Sequence, residues 1–278
     1  MAKFGYTACP VGPGGVIAPV TQYNAEGSPD PMRPKKLFLY LRHWPTLNGE
    51  LRELKRQALL SKHDIPITKI NPYPHEKQQQ SGTARGHYFH QDLLVARRIH
   101  DNNPEKHVDI GSRVDGFVAH VAAFRDIEVL DIRPLDSVIQ NIRFKQADLM
   151  SPPPEMEAYC DSLSCLHAIE HFGLGRYGDP VDFEGHLKGL DSLHTILKQG
   201  GTLYLSCPIG PQRIEFNAHR VFSVKYLLSL LEGRFTVRNF SYVDDRGDLH
   251  ESVALTDALL ANDCGCVYGC GIFELEKT

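Results

Sequence analysis

No apolar run in this sequence approaches the roughly 20 residues that a membrane span needs, so no transmembrane segment is expected. No apolar stretch follows the early lysine, Lys3, and a secretory signal is likewise not expected. An excess of one charge sign is also missing. Lys and Arg number 30 against 34 Asp and Glu, a net charge of −4, which offers no large cationic footprint for nucleic acid. Paired C-x-x-C knuckles are absent. Seven cysteines, an odd number dispersed over 278 residues, read as reduced thiols in a cytoplasmic protein. The first loop of the regular part of the chain, Gly111-Ser112-Arg113-Val114-Asp115-Gly116, lacks the dense glycines of a nucleotide cradle.

With 42% hydrophobic and 23% charged residues, the composition is that of a globular protein with a substantial core. The chain divides into an N-terminal extension, residues 1–87, and an α/β domain, residues 88–278. Gly and Pro crowd residues 1–34, which read as an arm without regular structure. Lys36 to Leu41 reads as a short strand, Asn48 to Ser61 as a helix with Leu51, Leu54 and Ala58 on one face. The polar stretch from Asn71 to Arg85 reads as a loop able to act as a lid. A helix from about Tyr88 to His100 enters the α/β domain.

From His107 onward, strands and helices alternate. Strands are expected at 107–111, 127–132, 142–147, 159–166, 202–207, 235–243 and 266–275, with a helix ending at Gly200-Gly201 before the fifth. That pattern predicts a doubly wound, mostly parallel seven-stranded sheet of Rossmann-like type, its last two strands forming an antiparallel edge. Ligands of such sheets bind at the carboxyl ends of the strands. The residues there are Asp109 and Gly111, then Asp131, then Asp148, then His167 to His171. Asp131 stands 20 residues beyond Gly111, where an acid can accept hydrogen bonds from ribose hydroxyls. Asp148, after the third strand, can accept from an adenine amine. Each acid read alone is equally a helix cap or a solvated end.

These motifs resemble those of the class I S-adenosylmethionine-dependent methyltransferases. The resemblance rests on Asp109-Ile110-Gly111, Asp131-Ile132-Arg133-Pro134, Ala147-Asp148-Leu149, Leu166-His167-Ala168-Ile169-Glu170-His171 and Leu197-Lys198-Gln199-Gly200-Gly201, in that order. His171-Phe172-Gly173-Leu174-Gly175-Arg176-Tyr177-Gly178-Asp179 is more narrowly similar to the DUF268 family, whose members often accompany surface-polysaccharide genes. The resemblance implies S-adenosylmethionine as cofactor, held by Asp109, Gly111, Arg113, Gly116, Asp131, Asp148 and His167. It implies a sugar acceptor, free or nucleotide- or lipid-linked. Two accounts of the altered first loop stand. In one, Gly116 supplies the close approach and Arg113 turns toward the cofactor carboxylate or an anionic substrate. In the other, Arg113 and Asp115 block the pocket. The first is the expectation.

Methyl transfer to a hydroxyl needs positioning and a base for its proton. His171 and His219 are the candidate bases, with Glu170 to orient them. His167 reads as a residue that packs or bonds to backbone rather than one that acts. Arg176, Tyr177 and Arg220 are candidates for substrate binding, and Arg176 can instead pair with Asp179. Tyr88, Gln91 and Asp92 open the helix expected over the cofactor. No metal is expected: Glu170, His171 and Asp179 lack tight ligand spacing, and Cys264, Cys266 and Cys270 read as small core residues. The alternatives to a methyltransferase are an enzyme of this fold that does not use S-adenosylmethionine and a non-catalytic partner in polysaccharide biosynthesis. The oligomeric state is not legible.

Overall fold

The computed structural model describes residues 22–23, 29–30, 34–70, 73, 77 and 79–278. The chain divides after Thr83 into two compact units. In the first, β1 (Gln22–Tyr23) and β2 (Pro29–Asp30) pair antiparallel and α1 (Pro34–Leu60) follows. Most of the arm expected over 1–34, and part of the loop expected over 71–85, lie outside the described residues. The strand expected at Lys36 to Leu41 is instead helical. Six apolar-rich residues do not by themselves separate the two states. Pro34 opens the helix at a position where its missing amide costs nothing, and the Leu, Glu, Lys, Arg and Gln run after Pro45 favours helix.

The second unit begins with α2 (His87–Asn102), closed by Asn103 in the left-handed conformation, φ 40°. It continues through β3 (His107–Ile110), α3 (Phe117–Ala122), β4 (Ile127–Asp131), β5 (Ile142–Gln146) and β6 (Cys160–Leu166). Next come α4 (Gly185–Ile196), β7 (Leu197–Ile209), β8 (Arg213–Glu215), β9 (His219–Val221) and α5 (Val224–Leu231). The chain ends with β10 (Phe235–Val243), β11 (Leu249–His250), α6 (Asp257–Ala261) and β12 (Gly269–Lys277).

The sheet order is β11-β10-β12-β7-β6-β3-β4-β5. Strands β5, β4, β3, β6 and β7 run parallel. Eight strands replace the seven expected, because the two-residue β11 adds to the edge of β10. The last two expected strands, β10 and β12, do pair antiparallel at that end of the sheet. β12 lies antiparallel between β7 and β10, completing the sheet's interior with Ile272, Phe273 and Leu275 fully buried. Gly200-Gly201 does not stop a helix. α4 ends at Ile196, and the glycines sit in β7 where its register to β6 shifts between Cys160 and Ser162.

Both faces of the sheet are covered. On one, Leu94, Ile99, Phe117 and Val121 of α2 and α3 pack on Val129 and Ile272. On the other, Leu190 and Leu193 of α4 and Leu227 of α5 pack on Leu163, Leu205 and Phe273. Apolar burial on both faces explains why these strands read as near-continuous hydrophobic runs.

The segment after β6 is fastened to α4 by glycines. A Cβ on Gly185 would stand 2.6 Å from the Phe172 carbonyl oxygen, and one on Gly189 would stand 2.6 Å from the Phe172 ring. Gly178, in the same segment, has open space around it and only a left-handed φ of 86°. Gly185→Ala is therefore expected to destabilise the protein by about 1–3 kcal/mol through overpacking. Gly178→Ala should cost about 1–2 kcal/mol, from backbone strain alone. Denaturant unfolding checks both, and only the first should also disturb Phe172, which lines the cavity described next.

Candidate active site

The chain runs outward from β3 to β4 and β5 in one direction, and from β6 to β7 in the other. Strand order therefore reverses between β3 and β6, and a crevice opens beyond their carboxyl ends. A cavity of about 520 Å³, counted to its solvent-open mouth, lies there; Gly111, Asp131, Asp148, His167, His171 and Tyr177 are among the lining residues.

The two acids expected to face a nucleoside do share this cavity. Asp131 is the last residue of β4, buried, with its carboxylate gripped by Arg133. Oδ1 accepts from the Arg133 amide at 2.8 Å and Nε at 3.0 Å, and Oδ2 from Nη2 at 2.5 Å. Arg133 Nη2 also donates to the Gly111 carbonyl at 3.1 Å, and its guanidinium lies 4.6 Å from the Tyr177 ring centre. Arg133 and Tyr177 thus form a cation–π layer beside the acid. Arg133 Nε also reaches Oδ2 at 3.2 Å, so Arg133 supplies two donors to each carboxylate oxygen. Asp148 Oδ1 accepts from the Met150 amide at 2.9 Å, which fixes it at the cavity wall.

Asp109 does not line the cavity. It is fully buried within β3 and holds the loop from behind, accepting from the Ser112 amide and hydroxyl at 3.0 Å each and from Ser164 at 2.5 Å. Gly111 follows with φ +76°, and a Cβ there would meet the Ala168 Cβ at 2.9 Å. Glycine is required at that turn for both reasons.

Neither account of the first loop matches the structure. Arg113 and Asp115 pair with each other in solvent, at 2.9 and 2.7 Å, and neither enters the cavity. Their carboxylate–guanidinium fork is satisfied two residues apart, so no ligand is needed to balance it. Gly116 precedes α3 with φ −122°, away from the cavity, and supplies no close approach to it. Gln91 and Asp92 are buried and bonded to Ser206 and to each other, while Tyr88 is exposed; none of the three lines the cavity.

Past β6, His167 takes a left-handed φ of 48°, which turns its ring toward the turn that follows. Its Nδ1 lies 2.8 Å from Glu170 Oε1, and the same oxygen is 3.6 Å from His171 Nε2. Burial favours a neutral Glu170, but the His167 ring opposes it, and the net direction is downward, toward carboxylate. Burial disfavours a charged His167, but the neighbouring Cys270 sulfur and the Glu170 carboxylate outweigh it and raise the ring well above its ordinary value. His171 lines the cavity, and burial lowers its pKa. Its Nδ1 donates to the Ala218 carbonyl at 2.7 Å, which leaves the lone pair of the neutral ring on Nε2.

The remaining candidates are placed otherwise. His219 lies outside the cavity, against Tyr268 with ring centres 5.1 Å apart. Arg176 does not pair with Asp179; it donates to the Ala218 carbonyl at 2.8 Å. Asp179 instead accepts from the amides of Gly175 and Tyr177, both at 3.1 Å, shaping the loop that presents Tyr177. Arg220 is buried, and its guanidinium donates to the carbonyls of Phe172 at 2.6 Å and Phe183 at 3.1 Å. It clamps backbone and does not reach the cavity. Arg133 is the residue that sequence reasoning missed. Its signal was its place two residues beyond an expected ribose acid, a spacing that lets a guanidinium fold back on a carboxylate.

A parallel sheet with its reversal at β3 and β6, a glycine turn after β3 and acids ending or following the next two strands is the class I methyltransferase fold. Among solved structures, the [4+2]-cyclase SpnF aligns over 71% of this chain and 85% of its own, with a TM-score of 0.50 and 14% identity. The 1,6-didemethyltoxoflavin-N1-methyltransferase of Burkholderia thailandensis, solved with S-adenosylhomocysteine, aligns over 68% and 78%, with a TM-score of 0.48 and 16% identity. The N-methyltransferase NodS of Bradyrhizobium japonicum WM9 aligns over 74% and 93%, with a TM-score of 0.46 and 11% identity. At such identities the likeness is one of fold. Residues 137–261 match the family described as Caenorhabditis protein of unknown function, DUF268, which includes the His171–Asp179 loop. No curated protein sequence matches the chain. Among the described residues, no helix is long and apolar enough to cross a membrane.

Burial raises the Asp109 carboxyl to about 7, against the hydrogen bonds from Ser164 and Ser112. An unfolded aspartate ionises near ~4, so the folded chain holds the proton over a range where the unfolded chain has lost it. The stability from this group is full below ~4 and is lost as pH rises through about 7. Asp109→Asn should therefore gain on wild type by roughly 2–4 kcal/mol between pH 4 and pH 8. Denaturant unfolding of both proteins across that range measures it.

Proposed function

We propose that the cavity binds S-adenosylmethionine and that the protein transfers its methyl group to a hydroxyl of a sugar or sugar-linked intermediate. The observation that carries this reading is that Asp131 and Asp148 face one cavity beside the Gly111 turn, at the point where strand order reverses. The residues fit the cofactor's adenosine. Asp131 can accept from ribose hydroxyls in exchange for part of its bonding to Arg133, and Asp148 offers an acceptor to an adenine amine. Bound there, the cofactor supplies an electrophilic methyl group on its sulfonium.

The chain's own residues supply the rest. His171 Nε2 is the base for the acceptor's proton, at a ring kept neutral by burial. The imidazolium that results is held by Glu170 Oε1, 3.6 Å away. Tyr177 and Phe172 form apolar walls that keep water from the acceptor. The sugar acceptor rests on the DUF268 likeness and its association with polysaccharide genes.

A second reading, an enzyme of this fold that does not use S-adenosylmethionine, is favoured by one observation. Arg133 already supplies two donors to each Asp131 oxygen and is covered by Tyr177.

Calorimetric titration of S-adenosylhomocysteine separates the two. Saturable binding is expected, weakened at least tenfold in Asp131→Ala by the loss of hydrogen bonds to a charged group worth about 1.5–3 kcal/mol. Arg113→Ala should bind as wild type does, because Arg113 faces solvent. Absence of binding to folded wild-type protein would overturn the methyltransferase reading in favour of the second.

A further inference from the structure

We propose that His87, His167 and Cys270 form a zinc site beside the cavity. One ligand atom from each lies within 4.8 Å of the other two. The three residues come from separate elements. His87 opens α2, His167 follows β6, and Cys270 is the second residue of β12. Cys270 is fully buried and His167 is nine-tenths buried.

The independent sign of a ligand is an orphaned donor set. His167 Nε2 is buried and has no hydrogen-bond partner, although buried polar groups are almost always paired. The other ring nitrogen is engaged with Glu170 at 2.8 Å, so the carboxylate orients the ring from behind. His87 packs against Tyr268, with ring centres 5.4 Å apart. A metal-bound imidazole characteristically gives its second nitrogen to a carboxylate or a backbone carbonyl, and His167 already does so. The Cys270 sulfur makes long contacts, at 3.8 Å, to Gln91 Oε1 and the Gly271 carbonyl, and it also faces the His167 ring.

Two imidazoles and a thiolate select a borderline-soft ion over Mg²⁺ or Ca²⁺, which prefer oxygen. Zinc bonds of about 2.0–2.1 Å to nitrogen and about 2.3 Å to sulfur set ligand atoms roughly 3.3–3.6 Å apart in a tetrahedron. The three atoms close on an ion by moving about an ångström. His87 supplies that movement: it is only half-buried and follows Gly86, at φ +92°, on a helix end. Three protein ligands leave a fourth position open, as in reactive zinc sites and unlike closed structural ones. His167 also lines the cavity, so the ion adjoins it. This site is distinct from Glu170, His171 and Asp179, and it does not rest on S-adenosylmethionine binding.

Cobalt substitution of the full chain, stripped with a chelator and studied without S-adenosylmethionine, tests it. Wild type should take up one equivalent of Co²⁺ with a sulfur-to-cobalt charge-transfer band and the intense visible bands of tetrahedral cobalt, all lost on adding Zn²⁺. Cys270→Ser should abolish the charge-transfer band, while Cys264→Ser, at another buried cysteine, should keep it. His87→Ala should weaken Zn²⁺ binding at least about 100-fold; it carries the test by itself if circular dichroism shows Cys270→Ser unfolded. Glu170→Gln should keep the band and weaken binding about 10–100-fold. A folded wild type without the band, a band that survives Cys270→Ser, or unchanged Zn²⁺ affinity in folded His87→Ala would overturn the proposal.

Discussion

The site is organised around one buried carboxylate. Glu170 is 1% exposed, yet its net shift is toward the ionised form, because His167 sits 2.8 Å from Oε1 and His171 lies 3.6 Å from the same oxygen. A lone carboxylate at that depth would take a proton. Ionised, it fixes the directions of two imidazoles, one at the cavity and one turned toward His87 and Cys270. The backbone that carries it is held in turn by Arg220, whose guanidinium reaches carbonyls on both sides of the following loop. Burying Arg220 and leaving its carbonyls paired makes this loop a rigid part of the core.

The same economy appears at the other end of the cavity. Asp109 lies behind the first turn and pins Ser112, Gly111 supplies the left-handed bend, and Arg133 reaches from beyond β4 to the Gly111 carbonyl. The turn is thus held by side chains that need no further glycine. That is why Arg113 and Asp115 are tolerated: the loop swings them into solvent, where they satisfy each other. An exposed pair of this kind contributes little to stability. Its consequence is for reading the chain, since a loop that looks blocked in sequence is open in space.

Much of the α/β frame was legible because periodicity and breakers report burial on both faces of a sheet. β3, β4, β5, β6 and β10 fall where alternation and apolar runs placed them, and Asp131 and Asp148 face the cavity that their strand-end positions implied. Legibility failed where local pattern and tertiary context diverge. Lys36 to Leu41 reads as a short strand and is helical. Arg220 reads as a substrate-binding cation and is in fact buried against carbonyls. Cys270 reads as a small hydrophobe, and its sulfur indeed lies in the core, but beside two imidazoles.

The sequence by itself determined the class of fold, the order of its strands in the chain and the acids at their ends. These follow from short-range rules: hydrophobic period, turn residues and the spacing of an acid from a glycine turn. Tertiary structure alone decided how those pieces meet. It placed β12 between β7 and β10, folded Arg133 back on Asp131, turned Arg113 outward and brought His87, His167 and Cys270 together. No spacing rule joins positions so far apart, because their approach is set by the packing of α2, β6 and β12 and not by any segment of the chain.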